Sequence, residues 1–480
     1  MNEKTELKKI NPILRYFYVI TSMFRTNIRE YGMYIALAAI FLVFTIYTNG
    51  LFLSPRNFTN LLNQTAYVSV LAIGMTLVIV TRQIDLSVGF LSAFLGAYVI
   101  VAIENQGQAI WLALLVALFL TVAIGAIKGF FVAKIKVPSF VVTLAGMFIF
   151  KGLLMIETGN RTIPVSSSFF KSIGVGYIST GEVGGLNLVT VILGVLMVAL
   201  IVVSSITKRR KNNKLNIENE SMQIYITKTV FLIGILTYLA LNLASYRGIS
   251  YQLLITLVVM VIYIFITTKT TVGRRVYAVG GNPEAAELSG IKVTTILIIV
   301  FISMGVMSLI AGTMYASYVQ NTSPNHGVSW ELYAIAATFI GGASASGGVG
   351  KIVNSVIGSI AIMSLRNGMA LAGFSSNIEP IVLGSVLLLA VVFDIYTRNV
   401  RPVDLVGMYY AKRLHKKDLA EAKEALKEAK AKLKEAQSSA DGKDIIDYEY
   451  ALTNAESTYT RIKNEIRSSQ EEDFEDIIIA

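Results

Sequence analysis

The sequence predicts an all-α polytopic membrane protein of about twelve crossing segments (10 to 12), followed by a helical tail. Three observations carry this. First, 54% of its 480 residues are hydrophobic and only 15% are charged, with mean hydropathy +0.61. A soluble domain holds about 25% charged residues. Second, apolar runs of roughly 20 residues recur, the length a helix needs to cross about 30 Å of hydrocarbon. Third, charge is segregated. Residues 1–398 carry 28 Lys/Arg against 14 Asp/Glu, a net of +14, and residues 399–480 carry 14 against 17, a net of −3; together these make +11. Composition thus excludes a soluble enzyme, a disordered chain and a collagen-like repeat. Cysteine is absent, which excludes disulfides, thiol catalysis and Cys-ligated metals. With only His326 and His415, no His-based metal or catalytic centre is expected.

Residues 1–31 form a cytoplasmic N-terminal segment. Lys4, Lys8, Lys9, Arg15, Arg25 and Arg29 are dispersed through it, unlike a cleavable signal. Apolar runs follow at 32–53, 60–81, 86–103, 109–133, 138–156, 186–206, 224–244, 250–268 and 294–317, then a short one at 331–343, then 350–367 and 377–397. With the N-terminus inside, the inner loops receive Lys128, Lys134 and Lys136, the cluster Lys208–Lys214, and Lys269, Arg274, Arg275 and Lys292. The outer loops receive single cations: Arg56, Arg161, Lys171, Arg247 and Arg366. That asymmetry obeys the positive-inside rule and places both termini in the cytoplasm. Segment 331–343 covers only about 20 Å as a helix. It is counted as a crossing, because otherwise Lys351 and the basic start of the tail would face outside. Gly341-Gly342 either break it or allow close helix packing.

Asp85, Glu331, Glu379 and Asp394 lie near segment ends, so neither a proton relay nor an arginine ladder is visible. Neutral polar residues (Asn63, Gln64, Ser69, Thr76, Asn242, Thr338) suit a neutral, hydroxyl-rich solute. Gly347-Gly348-Val349-Gly350-Lys351 fails the P-loop spacing and reads as a turn, so this chain binds no ATP itself. The loop 269–293 contains Gly280-Gly281-Asn282-Pro283, a turn signal. Asn282 suits an N-cap, Pro283 the first helical position, Glu284 and Glu287 the positive helix end, and Gly290 the C′ position. The product is a short self-capped helix, small-faced at Ala285 and Ala286; it either fits a partner's groove or simply connects two segments.

Glu284-Ala285-Ala286 with Gly290 resembles the EAA---G loop of ABC importer permeases. The surrounding Gly-Arg-Arg-x-Tyr-Ala-x-Gly-Gly-Asn-x-Glu-Ala-Ala is similar to the ribose/xylose/galactose permease family. Asn60-Leu61-Leu62-x-Gln64-Thr65, Ile84-Asp85-Leu86-Ser87-Val88-Gly89, Val137-Pro138-Ser139-Phe140 and Ala334-Ile335-Ala336-Ala337 agree with that family. The likeness covers roughly 32–398, and an extra pair of segments around 207–249 makes it most similar to the xylose-type form. The resemblance implies an ABC importer permease fold. It implies a second permease copy, a cytoplasmic ATPase, possibly tandem, that binds ATP and Mg, and an extracytoplasmic sugar-binding protein. This chain needs no cofactor, bears against membrane lipid and calls for no nucleic acid. It would be a permease and not an enzyme, moving xylose or another pentose by alternating access. A hexose or nucleoside permease, a self-sufficient secondary carrier and a membrane scaffold are the rivals.

The resemblance makes Gly280, Gly281, Asn282, Pro283, Glu284, Ala285, Ala286 and Gly290 the ATPase-coupling loop. Asn63, Gln64, Asp85, Ser87 and Glu331 are the candidate pathway or gate residues. Asp85 has two readings, a gate or a cap for the segment starting at Ser87 and Val88. Asn63 and Gln64 likewise serve either sugar hydroxyls or interhelical bonds. The chain departs from the family at Tyr333, where an Asp is usual after Glu-Leu, and at Gln83. The tail, 399–480, lies outside the likeness. Leu419, Leu426 and Leu433 with Ala422, Ala429 and Ala436 form one heptad stripe; Tyr448, Leu452, Ala455, Tyr459, Ile462 and Ile466 form another. An antiparallel helical hairpin turning at Ser438–Gly442 is expected, either self-contained or bracing a second copy or the ATPase.

Overall fold

In the computed structural model, residues 28–178, 181–215, 222–399, 405–438 and 447–462 are described. Every predicted apolar run is helical. In chain order come α1 (Ile28–Tyr47), α2 (Pro55–Val80), α3 (Val88–Glu104), α4 (Ile110–Ala133), α5 (Ser139–Thr158), the short α6 (Ser168–Val175), α7 (Leu188–Lys214) and α8 (Met222–Ala244). Then follow α9 (Tyr251–Lys269), α10 (Thr271–Gly281), α11 (Pro283–Leu288), α12 (Val293–Val319), α13 (Trp330–Ile340), α14 (Ile352–Leu371), α15 (Ile378–Asn399) and α16 (Leu405–Ser438). Two small antiparallel pairs join loops: β1 (Ile163–Pro164) with β4 (Asn321–Thr322), and β2 (Glu182–Val183) with β3 (Leu186–Asn187).

Among the described residues, seven helices are long and apolar enough to cross a membrane: α2, α4, α5, α7, residues Tyr225–Ala244 of α8, α9 and α12. The chain is an integral membrane protein. α7 outruns its predicted end at 206 and carries Lys208, Arg209, Arg210, Lys211 and Lys214 on its last turns. The chain divides into two units, Arg29–Asp394 and the remainder.

Within Arg29–Asp394, burial sorts the helices. α2 is almost wholly buried, packed by α8, α9, α12, α13 and α14. α4, α5, α7, α8 and α9 expose most of their apolar surface, with Phe119, Ile156, Leu200 and Phe231 among the exposed side chains. Such a surface needs lipid or protein against it. α7 and α8 pack mainly on each other. α12 is the hub for α2, α3, α4 and α6. Gly125 and Gly129 let α4 lie backbone to backbone on α12, since a Cβ at either would press on Ile302 or Ile298.

α13 is shorter than a crossing helix, and α3, at 17 residues, is at the lower limit of one. α13 has 11 residues and stops before Gly341. Its first residue, Trp330, packs against Tyr67, the thirteenth of the 26 residues of α2, with ring centroids 4.8 Å apart. α13 therefore starts level with the middle of α2. The start of α3 reaches the same place: a Cβ on Gly89 would overlap the Gly327 carbonyl and the Glu331 carboxylate. Non-helical backbone thus leads into both helices at this depth, residues 81–87 before α3 and 320–329 before α13. α13 also ends at Gly341-Gly342 as expected, and Gly341 lies against the Asn354–Ser355 backbone of α14, so both readings of these glycines hold. Irregular backbone at that depth is tolerated because protein surrounds it.

In the other unit, α16 and helical residues 447–462 are described. Ala422 is buried, and Leu419, Leu426, Ala429, Leu433, Tyr448, Leu452, Ala455, Tyr459 and Ile462 are less exposed than their neighbours. Lys430 Nζ lies 3.3 Å from Glu456 Oε1. Residues 1–27, the expected turn at 439–442, and Ile466 lie outside the described residues.

Candidate functional site

The loop between α9 and α12 folds largely as its residues dictate. Asn282 Oδ1 accepts from Ala285 N at 3.0 Å, Pro283 opens α11, and Gly290 takes φ +80° just past the helix. That is the N-cap, N1 and C′ pattern. Two details differ from expectation. Gly280 and Gly281 end α10 and do not form a free turn. Ala286 is buried, so the outward face of α11 is Glu284, Ala285, Glu287 and Leu288, the last 91% exposed.

This loop is fastened to the Val80 end of α2. The Arg82 guanidinium donates from Nε to Gly280 O at 2.7 Å and from Nη2 to Gly281 O. Those carbonyls end α10, where a cation suits the helix dipole. Gly348 N donates to Val80 O at 2.8 Å, and the Tyr277 hydroxyl donates to Gly350 O at 2.5 Å. A Cβ on Gly280 would overlap the Val80 carbonyl, so only glycine admits this contact. Burial raises the Tyr277 hydroxyl pKa above its ordinary value.

Asp85 is fully buried and does two jobs. Its Oδ1 accepts from Ser87 N at 3.0 Å and from Ser87 Oγ at 2.6 Å, closing a turn just before α3. Its Oδ2 pairs with Lys128 Nζ at 2.6 Å, and that ammonium also donates to Ser87 Oγ at 3.0 Å. Asp85 is therefore not the N-cap of α3: Ser87 holds that position, and Asp85 closes the turn that leads into it. Lys128 is the correction: it belongs to α4 and not to a loop, and it is buried. A buried carboxylate needs such a partner.

Asn63 bonds to the loop after α6 and to the N-cap of α9. Its Nδ2 donates to the Tyr177 hydroxyl at 2.9 Å, and its Oδ1 accepts from Ser250 Oγ at 2.5 Å. Gln64 is partly buried and makes no hydrogen bond among the described residues. Glu331 is 8% exposed, and its Oε2 has no partner.

Sequence reasoning missed three groups. Arg82 was legible only as a cation in a very short turn. Around the middle of α2, Tyr67, Tyr315 and Trp330 touch one another, with centroids 4.4 to 4.9 Å apart, and His326 meets Tyr315 at 5.0 Å. Beyond them, Arg366 Nε lies 3.1 Å from Glu379 Oε1 and its guanidinium sits 5.6 Å over the Tyr333 ring. Tyr333, the departure from the family, donates its hydroxyl to that same Glu379 oxygen.

α2 is buried at the centre, the starts of α3 and α13 meet beside its middle, and the exterior is apolar enough to face lipid. The family described as branched-chain amino acid transport system / permease component matches residues 57–391, and the chain belongs to it. It is a transport-system permease, not an enzyme. A xylose transport system permease protein of Haemophilus influenzae is 39% identical over 368 residues, covering 77% of this chain and 96% of that protein. One from Escherichia coli K12 is 37% identical over 375 residues, covering 78% and 93%. A ribose import permease protein of Bacillus subtilis is 31% identical over 368 residues, covering 76% and 92%. No solved structure matches the chain.

Proposed function

We propose that this chain is the membrane-spanning permease of an ATP-driven importer for xylose or a closely related pentose in a bacterial cytoplasmic membrane. The observation that carries the substrate class is its likeness along 96% of a relative named for xylose, at 39% identity, against 31% for the Bacillus subtilis relative named for ribose. The permease domain is 32–398 with twelve crossings, and the Val80 end of α2 faces the cytoplasm. Two copies form the pathway. A soluble binding protein delivers sugar from outside, and an ATPase, tandem in one chain, binds ATP and Mg. The ATPase seats on the loop 269–293 through Glu284, Ala285, Glu287 and Leu288 of α11. A 91% exposed leucine beside two carboxylates supports that seat, since an isolated apolar side chain so fully exposed gains by being covered. Asp85 and Ser87 hold the start of α3, and Glu331 lies where α3 and α13 meet. The tail, 399–480, is a cytoplasmic antiparallel hairpin.

Co-expression with the ATPase and binding protein, followed by labelled D-xylose uptake into vesicles, tests this. ATP-dependent uptake is expected. Uptake without any ATPase would favour a self-sufficient carrier and overturn the proposal. Deleting 411–480 should leave ATPase copurification unchanged; its loss would make the hairpin a brace.

A further inference from the structure

The middle of α2 carries polar groups that folding leaves unused. Tyr67 is 3% exposed, yet its hydroxyl has no hydrogen-bond partner of normal geometry. The Arg366 guanidinium lies close enough to interact with that hydroxyl. Glu331, 8% exposed, leaves Oε2 unpartnered where α3 and α13 begin. Gln64 lies one helical turn before Tyr67 on α2, with its amide unbonded among the described residues. A buried unpartnered polar group costs about 1–3 kcal/mol, so such groups call for an explanation. The rings of Tyr67, Tyr315 and Trp330 surround the same point. Helix starts that meet level with the middle of a crossing helix are where membrane transporters place solute.

Resting on the monosaccharide-permease reading above, we propose that a monosaccharide is held in transit at this point. The apolar C–H face of its ring lies on Tyr67, Tyr315 or Trp330, and its hydroxyls bond to the Tyr67 hydroxyl, the Glu331 carboxyl and the Gln64 amide. Aromatic faces accept the C–H side of a sugar ring, while hydroxyls need donors and acceptors already stripped of water. A purely structural role explains the rings, which fill space, but not the idle hydroxyl and carboxyl oxygen. In the present arrangement the three rings close on one another, so solute enters as α13 moves relative to α2 and α12.

The chain supplies its own reporter. It has two tryptophans, and Trp111 is exposed near the start of α4, 63% accessible. Trp111→Phe leaves Trp330 as the single fluorophore. The full chain bearing that change, in lipid nanodiscs, is titrated with D-xylose while Trp330 emission is recorded. A saturable change in intensity or wavelength is expected. Adding Tyr67→Phe should weaken the apparent affinity about tenfold, the worth of one good hydrogen bond. It should leave thermal stability equal or higher, because it deletes only an unpartnered group. No saturable change while sugar uptake by the assembled importer is intact overturns the subsite and spares the permease reading. Loss of all sugar uptake by the assembled, unsubstituted importer overturns that reading instead. A saturable change that Tyr67→Phe leaves unaltered, or that glycerol reproduces, also overturns the siting.

Discussion

The Val80 end of α2 and its Pro55 half are built on opposite principles. At the Val80 end, backbone meets backbone through glycines, and Arg82, Tyr277 and Gly348 each donate to a main-chain carbonyl. In the Pro55 half, Thr59, Tyr67, Glu331 and Ser364 hold buried polar atoms with no hydrogen-bond partner of normal geometry among the described residues, beside aromatic rings and the Arg366–Glu379 pair. A region with every donor committed transmits displacement as a unit, because any relative movement breaks several bonds at once. A region with idle donors and acceptors gives up little when it opens and gains when a polar solute arrives. The contrast therefore assigns the Val80 end to rigidity and the middle to exchange.

The largest effect tests the rigid end. Gly280→Ala places a methyl group on the Val80 carbonyl, a backbone atom with no rotamer to escape into. The overlap is far inside contact distance and is relieved only by moving α10 off α2, which breaks the Arg82 and Gly348 contacts together. Loss of the monodisperse detergent-solubilised protein and at least a tenfold fall in uptake are expected. Gly281→Ala, with open space around it, should behave as the parent chain. Equal tolerance of both would erase the contrast. The next effect is Asp85→Asn, which strands the Lys128 ammonium in the protein interior. Breaking a buried pair costs roughly 3–5 kcal/mol. Asparagine still accepts from Ser87 N, so Asp85→Asn with Lys128→Met should recover most of the lost thermal stability. No recovery would show that charge is not what the site needs.

How much of this was legible beforehand depended on range. The cap of α11 was readable because Asn282, Pro283 and Gly290 act within one turn of chain. The heptad stripe of the tail was readable for the same reason: periodicity puts Leu419, Ala422, Leu426, Ala429 and Leu433 on one face without reference to any partner. Contacts across long separations were not. Lys128 looked like a loop cation because a run of apolar residues does not say where its ion-pairing carboxylate lies, and Asp85 is 43 positions away. The non-helical stretches leading into α3 and α13 were hidden for a related reason. Hydropathy counts apolar residues, and residues 81–87 and 320–329 are too polar or too irregular to register. Only their packing against α2 reveals them as part of a crossing.

A smaller effect probes transmission along the rigid end and rests on the proposed ATPase partnership. Arg82→Lys keeps the charge but loses the planar fork that reaches Gly280 O and Gly281 O together. ATP hydrolysis by the assembled importer should continue, while sugar moved per ATP falls about tenfold, the low end of about 1.5–3 kcal/mol for a hydrogen bond to a charged group. A parallel fall in hydrolysis and uptake would mean that Arg82 only supports ATPase docking.

The smallest effect is a pH dependence confined to the Val80 end. The Tyr277 hydroxyl donates to Gly350 O, and burial raises its pKa above the ordinary 10.0. Tyr277→Phe should cost about 1 kcal/mol near neutrality, the net worth of one hydrogen bond. An acid whose folded pKa lies above its unfolded value stays protonated in the fold after it has ionised in the unfolded chain. The folded state then binds more protons, so stability falls as pH rises from 10 towards the folded pKa. Phenylalanine does not titrate. The difference in melting temperature between parent and Tyr277→Phe should therefore be constant below pH 9 and shrink above pH 10. A difference that stays constant up to pH 11 would place the Tyr277 hydroxyl in water, and the Val80 end would lose one of its closed contacts.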